Sequence, residues 1–182
     1  MQKEGKTMRY KFSFNKDKKS IQKLSENYDY PLEECIVQIT KNAKRRGYYK
    51  KNEFRSVCFW KIGPRKINKW TNNSEKDIVE ITKKALKQPD TEKAIKILEE
   101  LSGVGRGIAS TLLHFGHENP FPIIDKYAIF AAYKEKLNYY SYKLWDQYVK
   151  DCREFAEKRK IEMRILDKAL WVYGKEKWNT KR

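Results

Sequence analysis

The residues best suited to chemistry lie close together, in LSGVGRGIAS and in the PFPIID segment that follows it. Gly103, Gly105 and Gly107 stand between two helical patterns, so the turn that joins the helices must be short. Glycine accepts positive φ angles, which cost other residues about 1 kcal/mol or more. Without Cβ atoms, the backbone N–H groups of residues 104–107 can approach a ligand at the start of the second helix. The pattern indicates a phosphate cradle; a plain helix end followed by a tight turn, with no ligand, is the alternative.

Asp125 is the carboxylate that can act next to these glycines, because it directly precedes the helical pattern KYAIFAAY. A carboxylate at a helix N-terminus stays ionised and can stabilise positive charge that develops opposite it. Its alternative role is to cap the helix, which contributes about 1 kcal/mol. The two roles are compatible, so the sequence allows Asp125 to perform both.

The chain is strongly basic, with 41 Lys and Arg residues against 24 Asp and Glu residues and a formal net charge of +17. This balance favours polyanionic partners, with nucleic acid ahead of an anionic membrane surface. A Lys-rich surface without such a partner is the alternative. The chain also has 12 Tyr, 8 Phe and 5 Trp among its 182 residues, so we expect it to form an apolar core.

The cysteines and histidines give no metal-binding pattern. Cys35, Cys58 and Cys152 lie far apart and form no CxxC motif, and His114 and His117 are the two histidines. We therefore expect no zinc or iron–sulfur site, reduced thiols, and His117 at the surface. No apolar run approaches the roughly 18 residues of a membrane span, and the N-terminus lacks the apolar segment of a signal peptide. These features predict a cytoplasmic, nucleoid-associated protein with no membrane partner.

Helical patterns account for most of the chain. Residues 1–20 are polar and Lys-rich and are predicted to be an extended basic arm, followed by one domain over residues 21–182. The predicted helices lie at residues 31–46, at about 50–61, from Ser74, from Asp90, after the glycines, from Asp125, at about 142–158 and at 162–173. The predicted fold class is therefore all-α, with seven or eight helices.

LSGVGRGIAS resembles the helix-hairpin-helix motif of DNA glycosylases of the endonuclease III type, which typically reads Leu-Pro-Gly-Val-Gly-Arg-Lys-Thr-Ala. In that superfamily an apolar helix, a Pro-containing stretch and a catalytic aspartate follow the hairpin. This chain has GVGRGIASTLLHFGHENPFPIID, in which Asp125 lies 22 residues after Gly103. The resemblance covers about residues 95–135, with the hairpin at about 95–116. VCFWKIGPRKINKW and LDKALW also look like small uncharacterised members that lack the iron–sulfur cluster.

The resemblance implies an all-α fold of two helical lobes that grip double-stranded DNA, with Asp125 as the catalytic residue. The implied DNA-binding residues are Gly103, Val104, Gly105, Arg106, Gly107 and Lys126. The implied ligands of a monovalent cation, Na or K, are the backbone carbonyls of Glu99, Leu101 and Val104, and no other cofactor is required. Candidates for the base pocket are Trp60, Tyr127 and His114, although core packing is the alternative for Trp60 and His114.

Two departures from the family pattern shape the predicted function. The lysine that forms a Schiff base in bifunctional members falls on Gly107, and the C-terminal four-cysteine cluster is missing. The sequence therefore predicts a monomeric, monofunctional enzyme of base-excision repair that cleaves the N-glycosidic bond of a damaged or mismatched base. A non-catalytic helix-hairpin-helix protein that binds DNA is the first alternative, and an RNA-binding protein is the second. A space beside Asp125 large enough for a base would favour the enzyme.

Overall fold

The structure, a computed structural model, describes residues 10–178, and within them the chain forms ten α-helices and no strand. In chain order they are α1 (Lys18–Glu26), α2 (Glu33–Arg46), α3 (Lys51–Ile62), α4 (Ile67–Trp70), α5 (Glu75–Ala85), α6 (Thr91–Glu99), α7 (Arg106–Gly116), α8 (Lys126–Tyr133), α9 (Tyr142–Arg159) and α10 (Met163–Trp178). The predicted all-α class is confirmed. None of the ten helices is long and apolar enough to cross a membrane.

The N-terminal segment is more ordered than the sequence suggested. Part of the predicted arm, residues 1–9, lies outside the described residues. Helix α1 begins within that arm, at Lys18, because the side chain of Asp17 accepts a hydrogen bond from the Ser20 N–H. Before it, Phe14 is buried and its ring lies 5.6 Å from the ring of Phe155 on α9. From residue 10 onward, the segment therefore packs on the domain.

The helices form two groups according to their contacts. Helices α2, α3, α5, α6 and α7 contact one another, and α1, α8 and α9 each contact α10. Helix α7 is central to the first group, since every residue from Ile108 to His114 is buried. Contacts between α6 and α9 join the two groups. The α6–α7 turn and the start of α8 thereby come from different groups of helices.

A glycine in α10 sets the position of α8. A Cβ atom on Gly174 would lie 2.0 Å from the carbonyl oxygen of Tyr127, so the two helix backbones touch there. Helix α8 is buried from Ala128 to Tyr133, which leaves its first residues to face outward. The contact therefore fixes where the start of α8, and Asp125 before it, meets the rest of the fold.

The segment that follows α3 supports the α6–α7 turn. The side-chain amide of Asn73 donates to the carbonyl of Ser102 at 2.9 Å, and its oxygen accepts from the Ser102 N–H at 2.8 Å. Next to it, a Cβ atom on Gly103 would lie 2.8 Å from the backbone nitrogen of Trp70. The turn therefore packs directly against the backbone of α4.

We expect Gly174→Ala to destabilise the fold. Inside a helix this change normally stabilises by about 0.5–1 kcal/mol, because glycine loses more backbone entropy on folding. Here the new methyl group meets the Tyr127 backbone, and such overpacking costs about 1–3 kcal/mol. Chemical denaturation followed by circular dichroism measures the change. Glu176→Ala on the exposed side of α10 is the control, and an unchanged or increased stability of Gly174→Ala would contradict the close contact.

Candidate active site

A cleft of about 700 Å³ opens where the end of α3, the α6–α7 turn and the start of α8 meet. The first wall is formed by the end of α3 and the segment after it, and the second by the turn and the first residues of α7. The start of α8, three residues of later segments and one residue before α2 complete the lining. In chain order the lining residues are Tyr30, Lys61, Ile62, Arg65, Lys66, Gly103, Gly105, Arg106, Gly107, Ile108, Ile124, Asp125, Lys126, Tyr127, Asn138, Tyr140 and Trp171.

Asp125 combines the two roles that the sequence allowed. One carboxylate oxygen, Oδ1, accepts hydrogen bonds of 2.9 Å from the backbone N–H groups of Tyr127 and Ala128, which caps α8. The other oxygen, Oδ2, lies 3.4 Å from the Nζ atom of Lys61 on α3. The side chain of Asp125 keeps 22% of its surface exposed. The capping bonds thus orient the carboxylate and leave one oxygen at the cleft.

The three glycines of the turn have different backbone conformations. Only Gly103 among them has a positive φ, of 78°, so the left-handed conformation is needed once and not at all three positions. Gly105 is extended, with φ −112° and ψ −178°, and serves as the N-cap of α7 without a side chain. A Cβ atom there would meet no other atom within 4 Å. The space in front of Gly105 is therefore open to a ligand.

The start of α7 suits an anion. The first N–H groups of a helix have no acceptor within that helix, and the helix dipole places partial positive charge at the same end. Gly105 has no side chain to accept from these amides, and the residues of the first turn, from Arg106 to Ile108, line the cleft. A phosphate oxygen is the ligand that fits such a group of donors.

The side chain of Arg106 packs against other side chains of the protein. Its guanidinium carbon lies 4.1 Å from the ring centre of Tyr142 and 4.9 Å from that of Tyr139, and its Nε atom lies 3.9 Å from a carboxylate oxygen of Glu99. These contacts turn the side chain toward α6 and α9. Arg106 therefore offers the cleft its backbone N–H rather than a free guanidinium.

The charge of the cleft lining is mostly positive. Four cationic side chains line it besides that of Arg106: Lys61, Arg65, Lys66 and Lys126. Among the described residues of the lining, Asp125 is the one carboxylate. Such a surface attracts a polyanion and leaves a single negative charge at its centre.

Aromatic side chains also line the cleft: Tyr30, Tyr127, Tyr140 and Trp171. Burial raises the pKa of Tyr140 to about 12, and the charge of Asp125 adds to this effect. The same two causes raise the pKa of Tyr30. Both phenols therefore keep their protons at neutral pH. The Tyr30 O–H already donates to the carbonyl of Trp60, so Tyr140 is the phenol that can donate to a ligand. Of these four residues, Tyr127 alone was predicted from the sequence, because no local pattern marks the others.

Trp60 and the histidines lie away from the cleft lining. Trp60 is 8% exposed and its Nε1–H donates to the carbonyl of Pro31, so core packing is the correct interpretation. His114 is 5% exposed, and its Nδ1 atom lies 2.6 Å from the carbonyl oxygen of Phe121, so it does not line a base pocket. The expectation that His117 is exposed was wrong, since it is 7% exposed.

A small recess continues the cleft behind Asp125, with room for about 10 Å³ between Trp60, Lys61 and Asp167. Asp167 accepts a 2.7 Å hydrogen bond from the Ile123 N–H, which holds the segment before Asp125. Burial raises the pKa of Asp167 to about 6, although the nearby guanidinium of Arg164 opposes the shift. The recess is about the size of one water molecule and is too small for a nucleobase.

A cation site at the turn stays a prediction. The carbonyls of Glu99, Leu101 and Val104 follow the C-terminal end of α6, where backbone oxygens carry partial negative charge, and oxygen donors of this kind fit a hard cation. Side chains offer no substitute, since residues 10–178 contain no group of three or more His, Cys, Asp or Glu that could hold a metal ion. A cation held there would supply positive charge beside the turn amides.

Comparisons with protein-family models, with curated proteins and with solved structures found no match to this chain. An assignment of function therefore depends on the geometry of the cleft.

The burial of His114 makes stability depend on pH. Burial, assisted by the charge of Arg164, lowers the pKa of His114 from 6.5 to about 3. In acid the unfolded chain takes up a proton that the folded chain does not, so the free energy of unfolding decreases as the pH falls from about 6.5 toward 3. His114→Gln removes this titration and should reduce the decrease by up to about 1.4 kcal/mol per pH unit.

Denaturation of both proteins at a series of pH values measures the effect. The difference between the free energies of unfolding of the two proteins gives the contribution of His114. Asp167, whose pKa is raised to about 6 in the folded state, contributes in the opposite direction but equally in both proteins. Parallel curves for the two proteins would contradict a neutral, buried His114.

Proposed function

We propose that the protein is a DNA glycosylase of base-excision repair. It binds double-stranded DNA along the basic cleft, takes one nucleotide out of the base stack, and breaks the N-glycosidic bond of a damaged or mismatched base. The observation that carries this proposal is the cleft itself, in which amides at a helix start, a partly exposed carboxylate and aromatic side chains surround one space of about 700 Å³.

Phosphate contacts provide the grip on DNA. The amides at the start of α7 donate hydrogen bonds to one phosphate. Other phosphates contact Arg65, Lys66 and Lys126, which line the cleft. None of these contacts reads a base edge, so they position the duplex without selecting a sequence. The two groups of helices act as the lobes of a helix-hairpin-helix glycosylase fold, with the cleft between them.

The cleft also provides a place for the base. A nucleotide turned out of the stack needs a pocket with faces on which the base can stack and donors that can bind its edge. The aromatic rings of Tyr30, Tyr140 and Trp171 supply faces, and the protonated phenol of Tyr140 supplies a donor. A module that only binds DNA has no need of this space.

Asp125 assists the departure of the base. As the bond between C1′ and the base lengthens, its electron pair leaves with the base and positive charge develops on the sugar. The Oδ2 atom faces this charge while two amides hold Oδ1, so the carboxylate needs no reorganisation during the reaction. Water adds at C1′, and its proton is transferred to the departing base, which leaves an abasic sugar.

A DNA-binding protein without activity is the second candidate, because the two capping bonds of Asp125 give this residue a structural reason to be present. The two candidates differ in the role of the Oδ2 atom of Asp125. In the enzyme this atom stabilises the positive charge on the sugar, and in a protein that only binds DNA it has no such role.

Asp125→Asn separates these candidates. Asparagine caps helices as well as aspartate does, so we expect the fold and DNA affinity to remain. The negative charge opposite the sugar is lost, and base release should fall by about 100-fold or more. A screen over duplexes with deaminated, oxidised, alkylated and mismatched bases identifies the substrate and measures release.

Asp90→Asn is the matched control, because Asp90 caps α6 in the same way but lies outside the cleft lining. The control should release the base at the rate of the unaltered protein. The catalytic proposal would be contradicted if Asp125→Asn released the base at the full rate. It would also be contradicted if the unaltered protein released no base from any duplex of the screen.

Gly105→Val tests the phosphate site. The extended backbone at Gly105 suits any residue and its surroundings are open, so the variant should fold with a loss of stability of about 1 kcal/mol or less. The new side chain stands in front of the α7 amides, and we expect affinity for undamaged duplex to fall by about tenfold, as for the loss of one charged hydrogen bond.

Fluorescence anisotropy at fixed salt measures this affinity. Ser74→Val, the same kind of change at the N-cap of α5, is the control and should bind normally. Equal affinities of the two variants would show that DNA does not approach the turn.

A further inference from the structure

Lys61 carries a largely buried amine that the proposed mechanism does not use. Its side chain is 12% exposed and its Nζ atom lies 3.4 Å from Oδ2 of Asp125. It lines both the cleft and the recess behind it. The end of α3 that carries it is fixed, because the Tyr30 O–H donates to the carbonyl of Trp60 at 3.1 Å. The amine is therefore held at the reacting end of the cleft.

Gly107 makes room for this lysine. A Cβ atom at position 107 would lie 3.6 Å from Cε of Lys61 and 3.8 Å from the carbonyl oxygen of Ile124. A longer side chain at 107 would compete with Lys61 for the same space. The sequence lacks an amine at position 107, and the structure brings one to that place from another helix.

The other lysines of the cleft are less suitable. Lys126 is exposed, and its Nζ atom lies 4.7 Å from the ring centre of Tyr127 and 5.6 Å from that of Trp178. Lys66 is exposed on the segment after α3. Of the lysines that line the cleft, Lys61 is the one for which the structure shows an ion pair with Asp125.

We infer that Lys61 is a nucleophile for a second activity at the same site, cleavage of the DNA strand at an abasic sugar. This inference rests on the proposed function, since base removal supplies the abasic sugar. It replaces the expectation of a monofunctional enzyme, which depended on the absence of an amine at position 107.

The chemistry needs no co-reactant besides water. The Lys61 ammonium transfers a proton to Asp125, and the free amine adds to the C1′ aldehyde of the opened sugar. Asp125 returns this proton to the hydroxyl group, which leaves as water, and a protonated imine forms between Nζ and C1′. The imine withdraws electrons, so Asp125 takes a proton from C2′ and later releases it to solvent. A C2′–C3′ double bond forms, and the bond between C3′ and its phosphate oxygen breaks with its electron pair on the phosphate. Water then hydrolyses the imine and restores the amine.

Borohydride trapping on a duplex with one preformed abasic site tests this step without any need for base removal. Reduction converts the imine into a stable bond, so the unaltered protein should become covalently linked to the DNA. Lys61→Arg keeps a positive charge beside Asp125 but cannot form the imine, and trapping should fall by about 100-fold or more. Binding to the same duplex without borohydride should change little.

Lys150→Arg is the matched control, because Lys150 is also ion-paired, with Asp146 at 2.7 Å, but lies outside the cleft lining. It should be trapped like the unaltered protein. Peptide mass spectrometry of the trapped complex should place the DNA on Lys61, and this result does not require the Lys61→Arg variant to fold.

Each adverse outcome has a separate meaning. Trapping on another lysine, or undiminished trapping in Lys61→Arg, overturns the role of Lys61. Tight binding and base release with no trapping also overturn it and leave the glycosylase proposal standing. Absence of both DNA binding and base release overturns the two proposals together.

Discussion

The arrangement of the cleft depends on the hydrogen bonds that Asp125 accepts at the start of α8. Because the amides of Tyr127 and Ala128 occupy one carboxylate oxygen, the direction of the other is determined. The carboxylate lies at the N-terminal end of α8, where the helix dipole is positive. The helix cannot withdraw from or approach α10 freely, since Gly174 touches the Tyr127 backbone. A capping interaction of ordinary strength thereby places a negative charge at the centre of a basic surface.

The three glycines of the α6–α7 turn are needed for three different reasons. Gly103 adopts a positive φ and lies against the backbone of Trp70, so it joins the turn to α4. Gly105 leaves open space in front of the helix start. Gly107 leaves space that the side chain of Lys61 occupies. One short motif therefore provides a packing contact, open space at a helix start, and room for a side chain from another helix.

The size of the cleft favours catalysis over DNA binding alone. A surface that only grips phosphate works without a cavity, whereas about 700 Å³ of space lies beside Asp125. The ion pair between Asp125 and Lys61 affects which product the proposed reaction would give. A carboxylate alone leads to an intact strand with an abasic site, and a carboxylate next to an amine provides a route to a broken strand. The two proposals thus use one site in succession.

The sequence by itself determined most of the helices, the position of the turn and the choice of Asp125, because caps, helix periodicity and glycine spacing act over a few residues. It missed α1, whose polar residues resemble those of a disordered arm. Only the tertiary structure decided that Lys61 meets Asp125, 64 residues away, and that Tyr140 and Trp171 face the same cleft. Contacts of this kind depend on how helices pack, which no local pattern records. The same packing buries His114 and His117.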